Sequence, residues 1–259
     1  MRNARTAEKV TTMSEDRTTS ALLKLFIGCT GLAGVALAVV GLLHGSSQNA
    51  VMLAVLVAAA AGAELFAVEL FVDSHVSVSG AVLMAAGAIF GTWGVALTAP
   101  AIVIAGAVRT RPDMRKNVFN FGALMLAGFA YVAAFRGMDG SIGDRNFSAI
   151  VLPAVVAGMA NMAVNSALVS GAIALDRQEP IVGVWRGNFL WLVPQYAVLG
   201  AVAIGVALGL ADFGTWSIAL FALPLVSLSE ALHTRAEAMK MRQRALETIS
   251  SVHVHKRAA

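Results

Sequence analysis

Two carboxylates inside an apolar segment are the first candidates for chemistry. Glu64 and Glu69 fall within the apolar segment 49–72. A charged side chain at the centre of a bilayer costs about 2.5–3.5 kcal/mol on insertion scales, so we expect these carboxylates to have a partner or a function. If the segment is one helix, they point about 140° apart. Glu69 then lines a ligand- or proton-binding site while Glu64 reaches another helix; alternatively, both carboxylates only hold helices together.

Side-chain amides recur in three later apolar segments. Asn117 and Asn120 are three residues apart, and Asn161 and Asn165 are four apart, so each pair lies on one helix face. Such groups form interhelical hydrogen bonds of about 1 kcal/mol or less, and this packing role competes with ligand binding. The predicted ligand-binding residues form a polar region within a helical bundle: Glu64, Glu69, Asn120, Asn161, Asn165 and Gln195.

The sequence does not show the patterns that indicate catalysis or a metal site. It contains no nucleophile–base arrangement, no glycine-rich phosphate loop and no HExxH motif. His253 and His255 are two residues apart and would lie on different faces of a helix, with no nearby cysteine or carboxylate pair to complete a metal site. We therefore predict no enzyme activity, no metal and no cofactor.

Composition indicates a membrane protein. Hydrophobic residues make up 58% of the 259 residues and charged residues 13%, whereas soluble domains carry about 25% charged residues. The apolar residues come in blocks of about 20, the length that crosses a hydrocarbon core of about 30 Å. The net charge of +4 is explained by basic residues flanking these blocks, so no nucleic-acid partner is expected. The prediction is an all-α, polytopic membrane helix bundle with the lipid bilayer as its partner.

Seven apolar segments are candidate membrane spans, at residues 21–43, 49–72, 76–108, 117–135, 147–175, 189–210 and 213–229. The third is about 33 residues long and is predicted to cross twice, with a turn near Gly91–Gly94. A re-entrant hairpin that enters and leaves on one side is the alternative. Two crossings give about eight transmembrane helices.

Basic residues set the predicted orientation, because Lys and Arg are enriched in cytoplasmic loops. Four precede the first span, four lie at 109–116, and the loop 44–48 has none. Arg136 and Arg145 fall on the outside and are the exception. We predict both termini in the cytoplasm, with a cytoplasmic tail at 1–20, a transmembrane bundle at 21–230 and a cytoplasmic helix at 231–259.

The C-terminal helix has the pattern of a coiled-coil seam. Residues 225–259 contain neither glycine nor proline, and apolar residues recur in steps of three and four, although Arg235 and Arg242 interrupt the pattern. The predicted signalling residues on this helix are Leu228, Leu232, Met239, Leu246 and Ile249. A parallel homodimer through this seam is the hypothesis; a helix lying on the inner leaflet is the alternative.

Part of the chain resembles a known family of sensor regions. The runs VSVSGAVLMAAGAIFGTWGVAL and RKNVFNFGALMLAGFAYV, within residues 64–135, resemble the multi-pass N-terminal membrane regions of bacterial signalling proteins that carry HD-GYP, GGDEF or histidine kinase domains. The resemblance implies the bacterial inner membrane, a small lipophilic or polar ligand, and a cytoplasmic output partner. No output domain follows Ala259, which suggests a truncated product, the membrane part alone, or a separate output protein.

Two rival functions remain open from the sequence. The features at Phe90–Gly94 and Asn120–Gly128 are also similar to the substrate-binding subunits of energy-coupling vitamin transporters. That function explains an intramembrane polar pocket but leaves the long charged C-terminal helix without a role. A purely structural membrane subunit explains the helix without a pocket. The sequence favours the sensory module.

Overall fold

The computed structural model describes residues 2–45, 49–65, 68–71, 74–76, 79–143, 146–190 and 193–217. The side chains of residues 2–20 and of the segment 68–76 lie outside this description. The elements are α1 (Arg2–Leu43), α2 (Ala50–Leu65), β1 (Val68–Phe71), β2 (Ser74–Val76), α3 (Ser79–Phe90), α4 (Thr92–Thr110), α5 (Met114–Gly137), α6 (Phe147–Arg177), α7 (Ile181–Asn188), α8 (Val193–Phe213) and a 3₁₀ turn (Gly214–Trp216).

The described chain is helical apart from one short hairpin, and its helices are of membrane type. Five of them are long and apolar enough to cross a bilayer: Ala21–Leu43, Thr92–Thr110, Met114–Gly137, Ala149–Arg177 and Leu199–Trp216. α2 and α3 are equally apolar but shorter, with 16 and 12 residues. The predicted helical membrane class is therefore supported. Most of the last predicted span, 213–229, lies outside the described residues.

The helices alternate in direction between two ends of the bundle. Glu64 near the end of α2, Arg109 near the end of α4 and Ser79 at the start of α3 contact one another. α5 begins just after α4, so its first turn lies at the same end. We call this the basic end, because four of residues 109–116 are Lys or Arg.

The opposite end, which we call the far end, contains the turn between α3 and α4. Gly91 forms this turn with φ of +63°, a conformation that glycine adopts without a steric penalty. Arg136 near the end of α5 contacts Gly91, and Gly41 near the end of α1 contacts Thr92. The turn predicted near Gly91–Gly94 is thus present.

The later helices continue the alternation. Gly171 near the end of α6 lies close to Phe26 of α1, and Phe26 packs against Phe119 in the second turn of α5. Gly158 of α6 lies against Gly200 of α8, and the two helices are antiparallel. α6 therefore ends at the basic end, and α8 starts there.

One expectation about the second apolar segment is wrong. α2 ends at Leu65, and Glu69 lies in β1, where it pairs with His75 of β2. Glu64 and Glu69 do not share a helix, so the angle of 140° between them does not apply. The reason is local: valines and a phenylalanine at 68–76 favour a pleated strand.

The core centres on α3, which packs against α2, α4, α5 and α8. Residues 81–87 of α3 are all buried. Large apolar side chains on the outside of the bundle are exposed, with Leu32 at 72%, Val51 at 70% and Val108 at 68%. Many exposed large apolar side chains are expected for a helical bundle whose surroundings are lipid.

Candidate functional site

A buried carboxylate at the basic end is the centre of the candidate site. Glu64 is only 4% exposed. The hydroxyl of Ser79 donates a hydrogen bond of 2.6 Å to its Oε2 atom, and Nη2 of Arg109 lies 3.9 Å from its Oε1 atom. We call these three residues the Glu64 cluster. It ties together the ends of α2, α3 and α4.

The helix ends explain why these residue types suit these positions. Ser79 is the first residue of α3, so the carboxylate of Glu64 lies beside a helix N-terminus, where a negative charge is stabilised. Arg109 is in the last turn of α4, where a positive charge is stabilised for the same reason. Gly106 of α4 lies beside the carboxylate, and a Cβ atom there would be in ordinary van der Waals contact with Oε1 of Glu64 at 3.5 Å.

The Glu64 cluster has the properties of a switchable contact. Its carboxylate is desolvated, and it is held by a partner whose side chain is 17% exposed. Removing one member of a buried pair leaves an uncompensated charge and is strongly destabilising. Protonation of Glu64, or an anion that attracts Arg109, would weaken the same contact. The cluster can therefore respond to a proton or to a charged ligand.

A second polar region lies between α6 and α8. Asn161 is 7% exposed, and a hydrogen bond joins the side chains of Asn165 and Tyr196. The two helices approach closely because Gly158 and Gly200 lie against each other's backbone. Here the amide holds two helices together, as the packing interpretation of these residues predicts.

The six predicted ligand-binding residues do not converge on one pocket. Glu64 contacts α3 and α4, whereas Asn165 contacts α8. Asn120 is exposed on α5 because its side of the helix faces away from the bundle. Glu69 lies in β1 and Gln195 in α8, and their side chains are outside the described set. The predicted polar region is therefore at least two separate clusters.

The interior also contains hydroxyls that have no hydrogen-bond partner in the part of the chain that the structure describes. Thr98 of α4 and Tyr131 of α5 are both 0% exposed, and neither hydroxyl is paired. The ring of Tyr131 stacks on Phe135, with 6.0 Å between ring centroids. A buried polar group without a partner is costly. These two hydroxyls are further positions at which a ligand could donate or accept a hydrogen bond.

The segment before α8 forms a short surface helix. On α7, Ile181 and Val182 are exposed, at 49% and 57%, while Val184 is buried. Nε1 of Trp185 donates a hydrogen bond of 2.9 Å to the hydroxyl of Ser166 in α6. Exposed apolar and buried residues alternate around this helix, as expected for a helix at a membrane surface.

Sequence reasoning missed Ser79 and Ser166 and used Arg109 only as a marker of orientation. In the sequence, Ser79 stands at the start of an apolar run, and Arg109 stands at the end of an apolar run. Neither signal names a partner, because Ser79 and Glu64 are fifteen positions apart and belong to different helices. The contact exists only in three dimensions.

The described residues contain no group of three or more His, Cys, Asp or Glu side chains that could hold a metal ion. The predicted signalling residues Leu228, Leu232, Met239, Leu246 and Ile249 lie outside the described residues. The coiled coil and the homodimer stay predictions.

Comparison with known proteins assigns no family. No protein-family model, curated protein or solved structure matches the chain significantly. The resemblance of residues 64–135 to membrane sensor regions therefore stays a prediction. The functional argument rests on the geometry of the Glu64 cluster and of the α6–α8 contact.

Proposed function

We propose that this chain is a membrane-embedded sensory input module of the bacterial inner membrane. A small ligand or a change in the bilayer acts on the bundle, and the last helix passes the change to a cytoplasmic output partner. The observation that carries this proposal is the Glu64 cluster, a buried and partly solvent-connected ion pair that joins the ends of three helices. Because a proton or a charged ligand could exchange for these contacts, a role in switching is the function that this geometry supports best.

The alternation of the helices supports eight spans with both termini inside. Seven of the helices, α1 to α6 and α8, run alternately between the basic end and the far end. With the basic end at the cytoplasm, as the positive-inside rule requires, an eighth span over 213–229 returns the chain to the cytoplasm. The segment 231–259 then extends from the same side as the Glu64 cluster.

Packing offers a route from the Glu64 cluster to the end of the chain. Ser79 begins α3, and α3 packs against α8. A change in the ion pair moves the start of α3, and α8 is displaced because packed helices transmit shifts as rigid elements. The segment after α8 leads to the predicted C-terminal helix. A ligand drives this shift only by binding one arrangement more tightly than the other.

The α6–α8 contact is the second place where a ligand could act. The hydrogen bond between Asn165 of α6 and Tyr196 of α8 holds these two helices together. α8 also packs against α3. A lipophilic ligand with one polar group could compete for this hydrogen bond. The proposal therefore assigns Glu64 and Asn165 to sensing and leaves the exposed Asn120 outside the site.

A reporter enzyme fused after residue 259 of the full chain tests the proposal. Glu64→Gln and Asn165→Ala are each expected to change the reporter's basal output by at least threefold. Asn120→Ala is the matched control, since this amide is exposed. Unchanged output in both test variants, at normal levels in the membrane fraction, contradicts the sensory function. Copurification with an ATP-hydrolysing subunit, together with unchanged output, indicates the uptake subunit instead.

A further inference from the structure

An open groove runs along the outside of the bundle between α1 and α5. It has a volume of about 500 Å³, and its walls are apolar. The residues that line it are Gly28, Gly31, Leu32 and Val35 of α1 and Val118 and Phe121 of α5. Leu32 and Val35 are 72% and 52% exposed, so the groove opens to the surroundings of the bundle.

The dimensions of the groove suit one hydrocarbon chain. From Gly28 to Val35, α1 rises about 10 Å, which is two-thirds of the roughly 15 Å depth of one bilayer leaflet. Its volume falls within the roughly 300–1,000 Å³ of small-molecule sites. At Gly28 the space is open, because a Cβ atom there would meet nothing within 4 Å.

The end of the groove nearest the basic end is polar and positively charged. Asn117 of α5 lines it. Lys24 lies one turn before Gly28 on the same face of α1 and is exposed. Arg115 and Lys116 are also exposed in the first turn of α5, but Lys116 shares its helix face with Phe119 and Asn120 and not with the residues that line the groove. Asp113 is the single acidic residue in the segment 109–116.

We infer that this groove binds one anionic phospholipid, with an acyl chain between α1 and α5 and the phosphate headgroup at Lys24 and the amide of Asn117. The inference depends on the membrane location in the proposed function but not on signalling. It commits to a lipid because an apolar groove that ends beside a cation at leaflet depth matches the two parts of an anionic phospholipid.

A second copy of this chain fits the groove less well. In a symmetric dimer each residue near the axis faces its own counterpart. Lys24 would then face Lys24 of the second copy, and like charges placed together oppose association. A lipid headgroup supplies the opposite charge, so the electrostatics favour the lipid.

Lipid titration of the delipidated full chain in detergent, followed by native mass spectrometry, tests the inference. Phosphatidylglycerol is the probe, and phosphatidylcholine is the zwitterionic comparison. Lys24→Ala is expected to weaken phosphatidylglycerol binding about fivefold, since a basic residue near the surface contributes about that factor. Lys116→Ala, which removes a cation on another face of α5, is the matched control and should change binding by less than about twofold. Phosphatidylcholine binding should change by less than twofold.

Gly28→Leu tests the acyl-chain part of the site. The leucine side chain occupies open space in the groove, so binding of both lipids is expected to fall at least tenfold. Gly62→Leu on α2 is the matched control, because a Cβ atom there also meets nothing within 4 Å. Its lipid binding should equal that of the native chain.

Three results overturn the inference. These are native phosphatidylglycerol binding in Lys24→Ala, native binding in Gly28→Leu, or equal losses in Gly28→Leu and Gly62→Leu. A dimer that Gly28→Leu disrupts, without any bound lipid, also overturns it in favour of the second copy. None of these results changes the interpretation of the reporter experiment. Absence of the chain from the membrane fraction, in contrast, would contradict both the lipid site and the proposed function.

Discussion

At the basic end of the bundle, helix termini meet through the side chains of Glu64, Ser79 and Arg109, whereas at the far end the backbones themselves meet at glycines. A Cβ atom on Gly94 would collide with the carbonyl oxygen of Ala86. One end is therefore joined by charged and polar groups with adjustable rotamers. The other is joined by contacts that leave no room for a methyl group.

Two other far-end glycines show the same closeness. The guanidinium of Arg136 occupies the space of a Cβ atom on Gly91, and the ring of Trp93 occupies that on Gly45. Gly91 also has positive φ. These two contacts involve side chains that can change rotamer, so the far end is fixed by the backbone contacts of Gly94 with Ala86 and of Gly41 with Thr92.

The difference indicates where movement is possible. An ion pair and a hydrogen bond can be exchanged for a ligand or for a proton at modest cost, while a backbone contact at a glycine is lost only if the helices separate. Under the proposed function, the far end would therefore be the pivot of the bundle, and the helix termini would shift at the basic end. This arrangement matches hinge motions, in which a few residues stay fixed while packed helices move.

The largest expected effect comes from filling the backbone contact at the far end. Gly94→Val places a branched side chain against the carbonyl of Ala86 and should lower the free energy of unfolding by at least 3 kcal/mol, the upper end of the usual overpacking cost. Thermal unfolding in detergent micelles, followed by circular dichroism, measures the loss.

Gly137→Val is the matched control for that variant. Gly137 also lies at the far end, but a Cβ atom there meets nothing within 4 Å, so the change should be within about 0.5 kcal/mol. Equal stability of Gly94→Val and Gly137→Val would show that the far end is not fixed by backbone contact.

Removing the carboxylate at the basic end ranks second. Glu64→Ala leaves Arg109 and the hydroxyl of Ser79 without this acceptor, and we expect a loss of about 2 kcal/mol. The full cost of breaking a buried pair is about 3–5 kcal/mol, and it is reduced here because the side chain of Arg109 is 17% exposed.

A double-mutant cycle separates the pair from the cavity that alanine leaves. Arg109→Met in the Glu64→Ala background should cost less than Arg109→Met alone, since the cation no longer has a carboxylate to lose. Additive losses would mean that the 3.9 Å contact does not couple the two side chains, and the switching role would then lose its basis.

The class of the protein could be predicted from sequence because apolar blocks of membrane length have few alternatives. The structure places the basic residues at 109–116 where three helix termini meet, while the side of the membrane on which they lie stays a prediction. The turn at Gly91 was recognisable from a segment too long for one span. These features depend on local composition, which the sequence states directly.

The hairpin and the pairing within the site could not be predicted in this way. A short apolar run fits a helix and a strand equally well by hydrophobicity, so the sequence predicts that the second span continues to residue 72, through the residues that form β1. Asn120 shares a helix face with Asn117, yet only the packing of α5 decides that Asn120 is exposed. Glu64 finds Ser79 across a hairpin, and no periodicity connects them.

A smaller effect is expected for the hydroxyl of the Glu64 cluster. Ser79→Ala removes one hydrogen bond to a carboxylate, and about 1.5 kcal/mol of stability should be lost. Ser79→Thr keeps the hydroxyl and should retain more than half of that stability. If both variants unfold like the native chain, the hydrogen bond of 2.6 Å does not contribute to the basic end.

The smallest expected effect concerns the contact of α7 at the basic end. Trp185→Phe keeps an aromatic ring but loses the donor to the hydroxyl of Ser166, so we expect a loss of about 1 kcal/mol. Adding Ser166→Ala should restore part of it, because removing both partners leaves no unpaired group. If Ser166→Ala restores none of the stability, the loss in Trp185→Phe reflects packing of the tryptophan ring and not the hydrogen bond.

Combining Trp185→Phe with Ser79→Ala then asks whether the basic end acts as one unit. The two hydrogen bonds share no residue, so independent contacts give losses that add within about 0.5 kcal/mol. A larger deviation means that α7 and the Glu64 cluster move together, and a ligand at either place would shift both. Additivity restricts the movement to α2, α3 and α4, with α7 as a fixed support on α6.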